Sequence, residues 1–174
     1  MRWHFLLAAV AVLSGCNRAP AGPRPGEMIT SWDGVYRGTI RMEAQATFCA
    51  RDSVVEIFGY RADTGAGLAL YIDSTAPRVG LLAVLSPLLG ALPRPVATGA
   101  FRILVPDALR SFTSRGGSVE ITEAGPEGVS GQFLLQLVAS SGADTLAVRG
   151  VFHRVTLAPA DTPCGSVPRP AGVS

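Results

Sequence analysis

The sequence predicts an all-β fold, a single antiparallel β-barrel or β-sandwich of about eight or nine strands. Three observations carry that expectation. Several stretches alternate apolar and polar residues with a period of two, which buries one face of a strand. Among 174 residues, 20 glycines and 13 prolines break the chain into short elements. The two longest candidate strands, near the C-terminus, carry internal glycines at positions where strands bulge or bend.

The clearest strand is Tyr36–Gln45. Tyr36, Ile40, Met42 and Ala44 are apolar, while Arg37, Thr39, Arg41, Glu43 and Gln45 are polar. Further candidates are Ser53–Tyr60, Gly67–Asp73, Val79–Leu85, Thr98–Val105, Leu109–Ser114 and Ser118–Glu123. Asp63-Thr64-Gly65, Pro93-Arg94-Pro95 and Gly125-Pro126-Glu127-Gly128 read as turns, and Gly116-Gly117 as a tight hairpin. Val129–Ala139 places Val129, Phe133, Leu135 and Leu137 on one face. Thr145–Leu157 follows across Ser140–Asp144, and Gly131 and Gly150 lie inside these two strands. Residues 80–92 (GLLAVLSPLLGAL) are apolar almost throughout. They fit a buried strand and loop, or a short helix broken at Pro87; any part left outside would form an apolar patch of the kind that meets a partner, membrane or ligand.

Composition excludes several functions. All fifteen basic residues are arginine, so no lysine can act as Schiff base, P-loop cation or general base. The net charge of +2 falls to about +1 if Arg2 is removed, which gives no reason to expect nucleic acid as a partner. Hydrophobic residues at 48% supply enough material for one core.

The N-terminus reads as an export signal. Arg2 is a short positive region and Phe5–Leu13 an unbroken apolar run, too short for a permanent membrane helix. Leu13-Ser14-Gly15-Cys16 resembles the lipobox of bacterial lipoproteins; the alternative is an ordinary secretory signal with an incidental cysteine. The resemblance implies removal of residues 1–15, lipidation of Cys16 and anchoring to a membrane of the cell envelope. Asn17 after the cysteine implies the outer membrane, at its periplasmic face, in a cell with two membranes. Residues 16–28 then read as the lipidated cysteine and a flexible Pro/Gly/Ala linker. The β domain spans 29–164, and 165–174 is a frayed tail.

Export places the two later thiols in oxidising surroundings, and Cys49 and Cys164 are an even number once Cys16 is lipidated. A Cys49–Cys164 disulfide is expected, with two free thiols as the alternative. No His or Cys lies near either in sequence, so no metal site is expected there.

Two further resemblances concern the domain. Gly117–Thr122, Val129–Phe133 and Leu146–Phe152 are similar to a strand-and-bulge module recurrent in bacterial lipoproteins of unassigned role. It implies an all-β fold without catalytic residues. Trp32-Asp33-Gly34-Val35-Tyr36-Arg37-Gly38-Thr39 resembles the opening strand of lipocalins, although the lipocalin pattern has Gly before Trp and here Trp32 precedes Gly34. The likeness implies the geometry of a barrel's first strand.

Catalytic patterns are sparse. His153 is the one histidine after the signal. Val129-Ser130-Gly131 lacks the frame of a nucleophile elbow, and no metalloprotease, EF-hand or C-x-x-C pattern occurs. No cofactor is expected. The leading expectation is therefore a non-catalytic binding or interaction module on a membrane anchor, meeting an envelope protein or an apolar small molecule. A structural lipoprotein with a packed core is the alternative, and a hydrolase built on two carboxylates ranks behind both.

Overall fold

The computed structural model describes residues 21–89, 91–106 and 108–158. The signal segment, Cys16, Asn17–Pro20, Cys164 and the tail 165–174 lie outside the described residues. The strands are β1 (Glu27–Gly34), β2 (Gly38–Cys49), β3 (Val54–Arg61), β4 (Thr64–Tyr71), β5 (Gly80–Ala83), β6 (Val96–Val105), β7 (Ala108–Gly125), β8 (Gly128–Ala139), β9 (Thr145–Val155) and β10 (Leu157–Ala158). Eight of them close an antiparallel barrel in the order β1-β9-β8-β7-β6-β4-β3-β2, and β2 returns to pair with β1. Closure leaves the main ring without an open edge.

Alternation decides which side faces inward. Met28 and Thr30 on β1, Val55 and Ile57 on β3, Leu68 and Leu70 on β4, and Leu135 and Leu137 on β8 are buried. Glu43, Gln132, Gln136 and Arg149 stand outside and exposed. This apolar-in, polar-out pattern is the reverse of a membrane-spanning barrel. The described residues contain no helix long and apolar enough to cross a membrane.

Side chains fill the interior. Phe101, Phe112, Phe152, Met28, Met42 and Leu135 are almost wholly buried. Trp32 of β1 and Phe101 of β6, on opposite sides of the ring, bring their ring centroids to 5.2 Å. A void able to hold a ligand would separate them. Gly150 shows how tight the packing is: a Cβ there would overlap the Phe133 ring.

The two extra strands repair the ring. β6 and β7 pair from Val105↔Ala108 to Ala100↔Thr113 and then splay apart. β5 fills the wedge by pairing with Ser118–Ile121 of β7, and Val84 bridges Ala97 of β6. At the fork lies Ser114, fully buried. Its Oγ accepts the Gly99 N–H at 3.0 Å and donates to the Leu85 carbonyl at 2.7 Å. Ser114→Ala should lower stability by about 2 kcal/mol, because each stranded buried polar group costs ~1–3 kcal/mol. Urea unfolding with an unchanged m-value checks this.

Three expectations need correction. Gly116-Gly117 is not a hairpin: β7 runs through it as one strand of 18 residues, shifted in register between Ser114 and Gly116. The glycines serve a bend, for Gly117 has φ +130 and a Cβ there would overlap the Leu134 carbonyl. The first strand begins at Glu27, inside the segment read as linker, with Met28 fully buried. The linker's last residues are also held. Arg41 donates to the Ala21 carbonyl at 2.9 Å and pairs with Glu27, while the Gly26 N–H donates to the His153 carbonyl at 2.8 Å. The signal for β1 was hidden because Pro and Gly immediately precede it.

Glu27 reports on this latch. The Arg24 N–H holds its carboxyl below the usual 4.5; partial burial opposes, and the Arg41 guanidinium adds to the lowering. A depressed carboxylate stabilises the fold above its ordinary value and loses that contribution as pH falls through the lowered one. A carbon-13 NMR titration should place the Glu27 midpoint below 4.5; a midpoint at or above it would show that the latch is not formed.

Candidate functional site

Two features of the surface stand out: a polar cluster at adjoining bulges, and an apolar segment that the barrel leaves outside. The cluster arises from register. β7 slips by one residue between Ile121 and Glu123, and β8 slips against β9 between Val129 and Gly131. Together these slips bring Glu123, Ser130 and His153 into contact from three strands. Arg154, next along β9, takes a left-handed φ of 43° and so turns its N–H from the ladder.

Ser130 stitches the gap. Its Oγ accepts the Arg154 N–H at 2.9 Å and donates to Glu123 Oε2 at 2.8 Å. His153 Nδ1 lies 3.3 Å from the same oxygen. A hydroxyl has one proton, and here the carboxylate receives it, so the imidazole contact requires Nδ1–H as donor. In a serine hydrolase the proton runs the other way, from hydroxyl to imidazole. Ser130 is also only 4% exposed. The geometry therefore ties down two bulges rather than activating a nucleophile. Ser130→Ala should cost about 1–2 kcal/mol of stability, the usual range for removing a partly buried hydrogen-bond hub. Thermal unfolding measures it, and no loss would show that the stitch is incidental.

Other carboxylates face partners of opposite or neutral character. Glu120 accepts from Gln132 Nε2 at 2.6 Å, Asp33 pairs with Arg37 at 2.8 Å and Glu127 with Arg154 at 3.1 Å. The Arg37 guanidinium holds the Asp33 carboxyl below its usual value. A paired-carboxylate hydrolase instead needs one acid raised by a neighbouring acid or by burial. Among the described residues no three His, Cys, Asp or Glu side chains gather to hold a metal.

The apolar segment 80–92 divides. Leu82 and Val84 point into the barrel and are buried. Val79, Leu81, Leu88 and Leu89 remain outside at 66%, 71%, 84% and 64% exposure. Leu88 and Leu89 belong to a single 3-10 turn, Pro87–Leu89, whose proline lies over a shallow groove floored by Gly67, Ala69, Ala100 and Thr113 and walled by Phe58. At the barrel's end, Val79 overhangs a second crevice lined by Leu70, Ile72, Leu82 and Ile121. Val79 and Leu81 stand out at one end of the barrel and Leu88 and Leu89 on its wall, four large apolar side chains from one eleven-residue stretch.

Of the residues singled out in the sequence, Cys16 and Cys164 lie outside the described residues. Cys49 ends β2 and is 2% exposed. The Glu123–Ser130–His153 cluster had no sequence signal, since the bulges that assemble it follow from strand register. The apolar patch did have one, in the unbroken run at 80–92. No known protein family, no curated protein and no solved structure matches the chain.

Proposed function

We propose that this chain is a lipoprotein of the bacterial cell envelope, anchored through Cys16, whose barrel acts by its outer surface and not by an enclosed ligand site. One observation carries the second half: Trp32 and Phe101 meet across the barrel and leave a crevice among core side chains at its end, whereas Val79, Leu81, Leu88 and Leu89 stay in contact with solvent. A barrel that carries an apolar small molecule needs the opposite arrangement, an open interior and a polar outside. The surface of the β5 region is then where an interaction module would bind. The packed interior also supports a second reading, a lipoprotein whose role is positional.

The anchor and the mode of action separate in one experiment. The native chain should pellet with membranes and release an N-terminal peptide beginning at lipid-modified Cys16, and Cys16→Ser should move to the soluble fraction. Native mass spectrometry of the Cys16→Ser chain should then show the mass of the polypeptide alone. A retained apolar molecule would overturn the surface reading, and a soluble native chain with residues 1–15 attached would overturn the anchor.

A further inference from the structure

We infer that the barrel end nearest the anchor rests on the lipid leaflet itself, with Val79 and Leu81 seated among the head groups. The inference builds on the lipoprotein reading and names the occupant of the patch.

The chain direction fixes which end that is. β1 starts where β9 ends; β8 starts there, β7 ends there, and β5, antiparallel to β7, starts there. The linker residue Gly26 and the patch residues Val79 and Leu81 therefore belong to the same end. The linker leaves little slack. Arg41 grips the carbonyls of Ala21 and Gly22, so only Asn17–Pro20 separates Cys16 from a clamped residue. Five peptide steps reach at most ~18 Å. A flexible tether through residue 28 would have let the domain float free; the clamped one holds it against the surface.

The far end has exposed apolar residues as well, Val35, Leu104 and Leu109. A barrel standing on its near end keeps them clear of the leaflet: a strand of ten residues tilted by about 40° lifts them about 25 Å. The short tether brings the near end to the lipid, and there Val79 and Leu81 stand out with the exposed Arg78 beside Val79. A cation flanking apolar side chains suits an interface, where the guanidinium meets phosphate and the hydrocarbon enters the acyl boundary. The crevice under Val79, lined by Leu70, Ile72 and Ile121, extends the apolar surface inward.

Tryptophan fluorescence tests this on the full lipidated protein in vesicles. Trp32 is the one tryptophan after the signal and sits toward the far end, so it is an internal reference. Val79→Trp adds a probe at the near end and Leu104→Trp one at the far end. Phospholipids brominated high on the acyl chain should quench the added emission of Val79→Trp and leave that of Leu104→Trp unchanged. Equal quenching of both, or none in protein that still floats with the vesicles, overturns the inference while leaving the anchor intact. Protein that does not float at all overturns the anchor. A photo-crosslinker at position 79 that joins a protein in cells instead of lipid also overturns it, in favour of a protein partner.

Discussion

Reduction is expected to lower the stability of the oxidised protein by about 5 kcal/mol, the chain-entropy value for a bridge that closes more than a hundred residues. Leu157 and Ala158 run parallel to β2, opposite Ala46 and Thr47. β10 therefore points along β2 in the direction of Cys49, which lies two residues past Thr47. Six peptide steps then link Ala158 to Cys164, a reach of up to ~20 Å, so a bridge to Cys49 needs no rearrangement of the barrel. Cys49 is 2% exposed at the end of β2, a site where a bridge would be shielded from reductant. Thiol titration of the unfolded, unreduced chain without its signal should find no reactive group at either position. Dithiothreitol or Cys164→Ser should shift the urea midpoint downward by that energy divided by the m-value. Two titratable thiols, or equal midpoints with and without reductant, would remove the bridge from the account.

Much of the barrel is legible from alternation alone, because one methylene-rich face must leave water and a strand turns successive side chains to opposite sides. The run Val129–Ala139 is the plainest case: Val129, Phe133, Leu135 and Leu137 share a face in the sequence and are all buried in the fold. Alternation fails where the backbone departs from ideal pairing. Gly116-Gly117 has the composition of a hairpin, but a hairpin and a bulge use the same glycine conformations, and only the partner strand decides between them. Glu123, Ser130 and His153 meet through two such slips, so three residues spread over thirty positions converge without any local motif. The patch at 79–89 is half legible. Its apolar run is plain, but which leucines point inward depends on β5 filling the wedge between β6 and β7.

Phe101→Ala is expected to cost about 3–5 kcal/mol, the range for deleting a buried phenylalanine. Phe101 is 2% exposed, stands opposite Phe112 in the β6–β7 ladder and meets Trp32 across the ring. None of these neighbours can close the gap: Trp32 is packed over Gly38, where even a Cβ would overlap its indole, and Phe112 is held by β7. For a domain of this size the loss corresponds to a fall in Tm of roughly 10–15 °C, within what a marginally stable domain survives. The measurement has a second readout. A void left by Phe101 beside Trp32 should bind a small apolar molecule such as benzene, raising the Tm of the variant and shifting Trp32 emission, with neither effect in the native protein. If native protein responds to benzene as the variant does, the interior already holds open space, and the filled-barrel premise of an outer-surface function gives way. If the variant loses less than ~1 kcal/mol, the Phe101 side chain is not packed as described. A full loss together with benzene binding in the variant alone would mean that the core is committed to holding the wall. Recognition would then fall to residues outside it, foremost the four apolar side chains of the 79–89 segment.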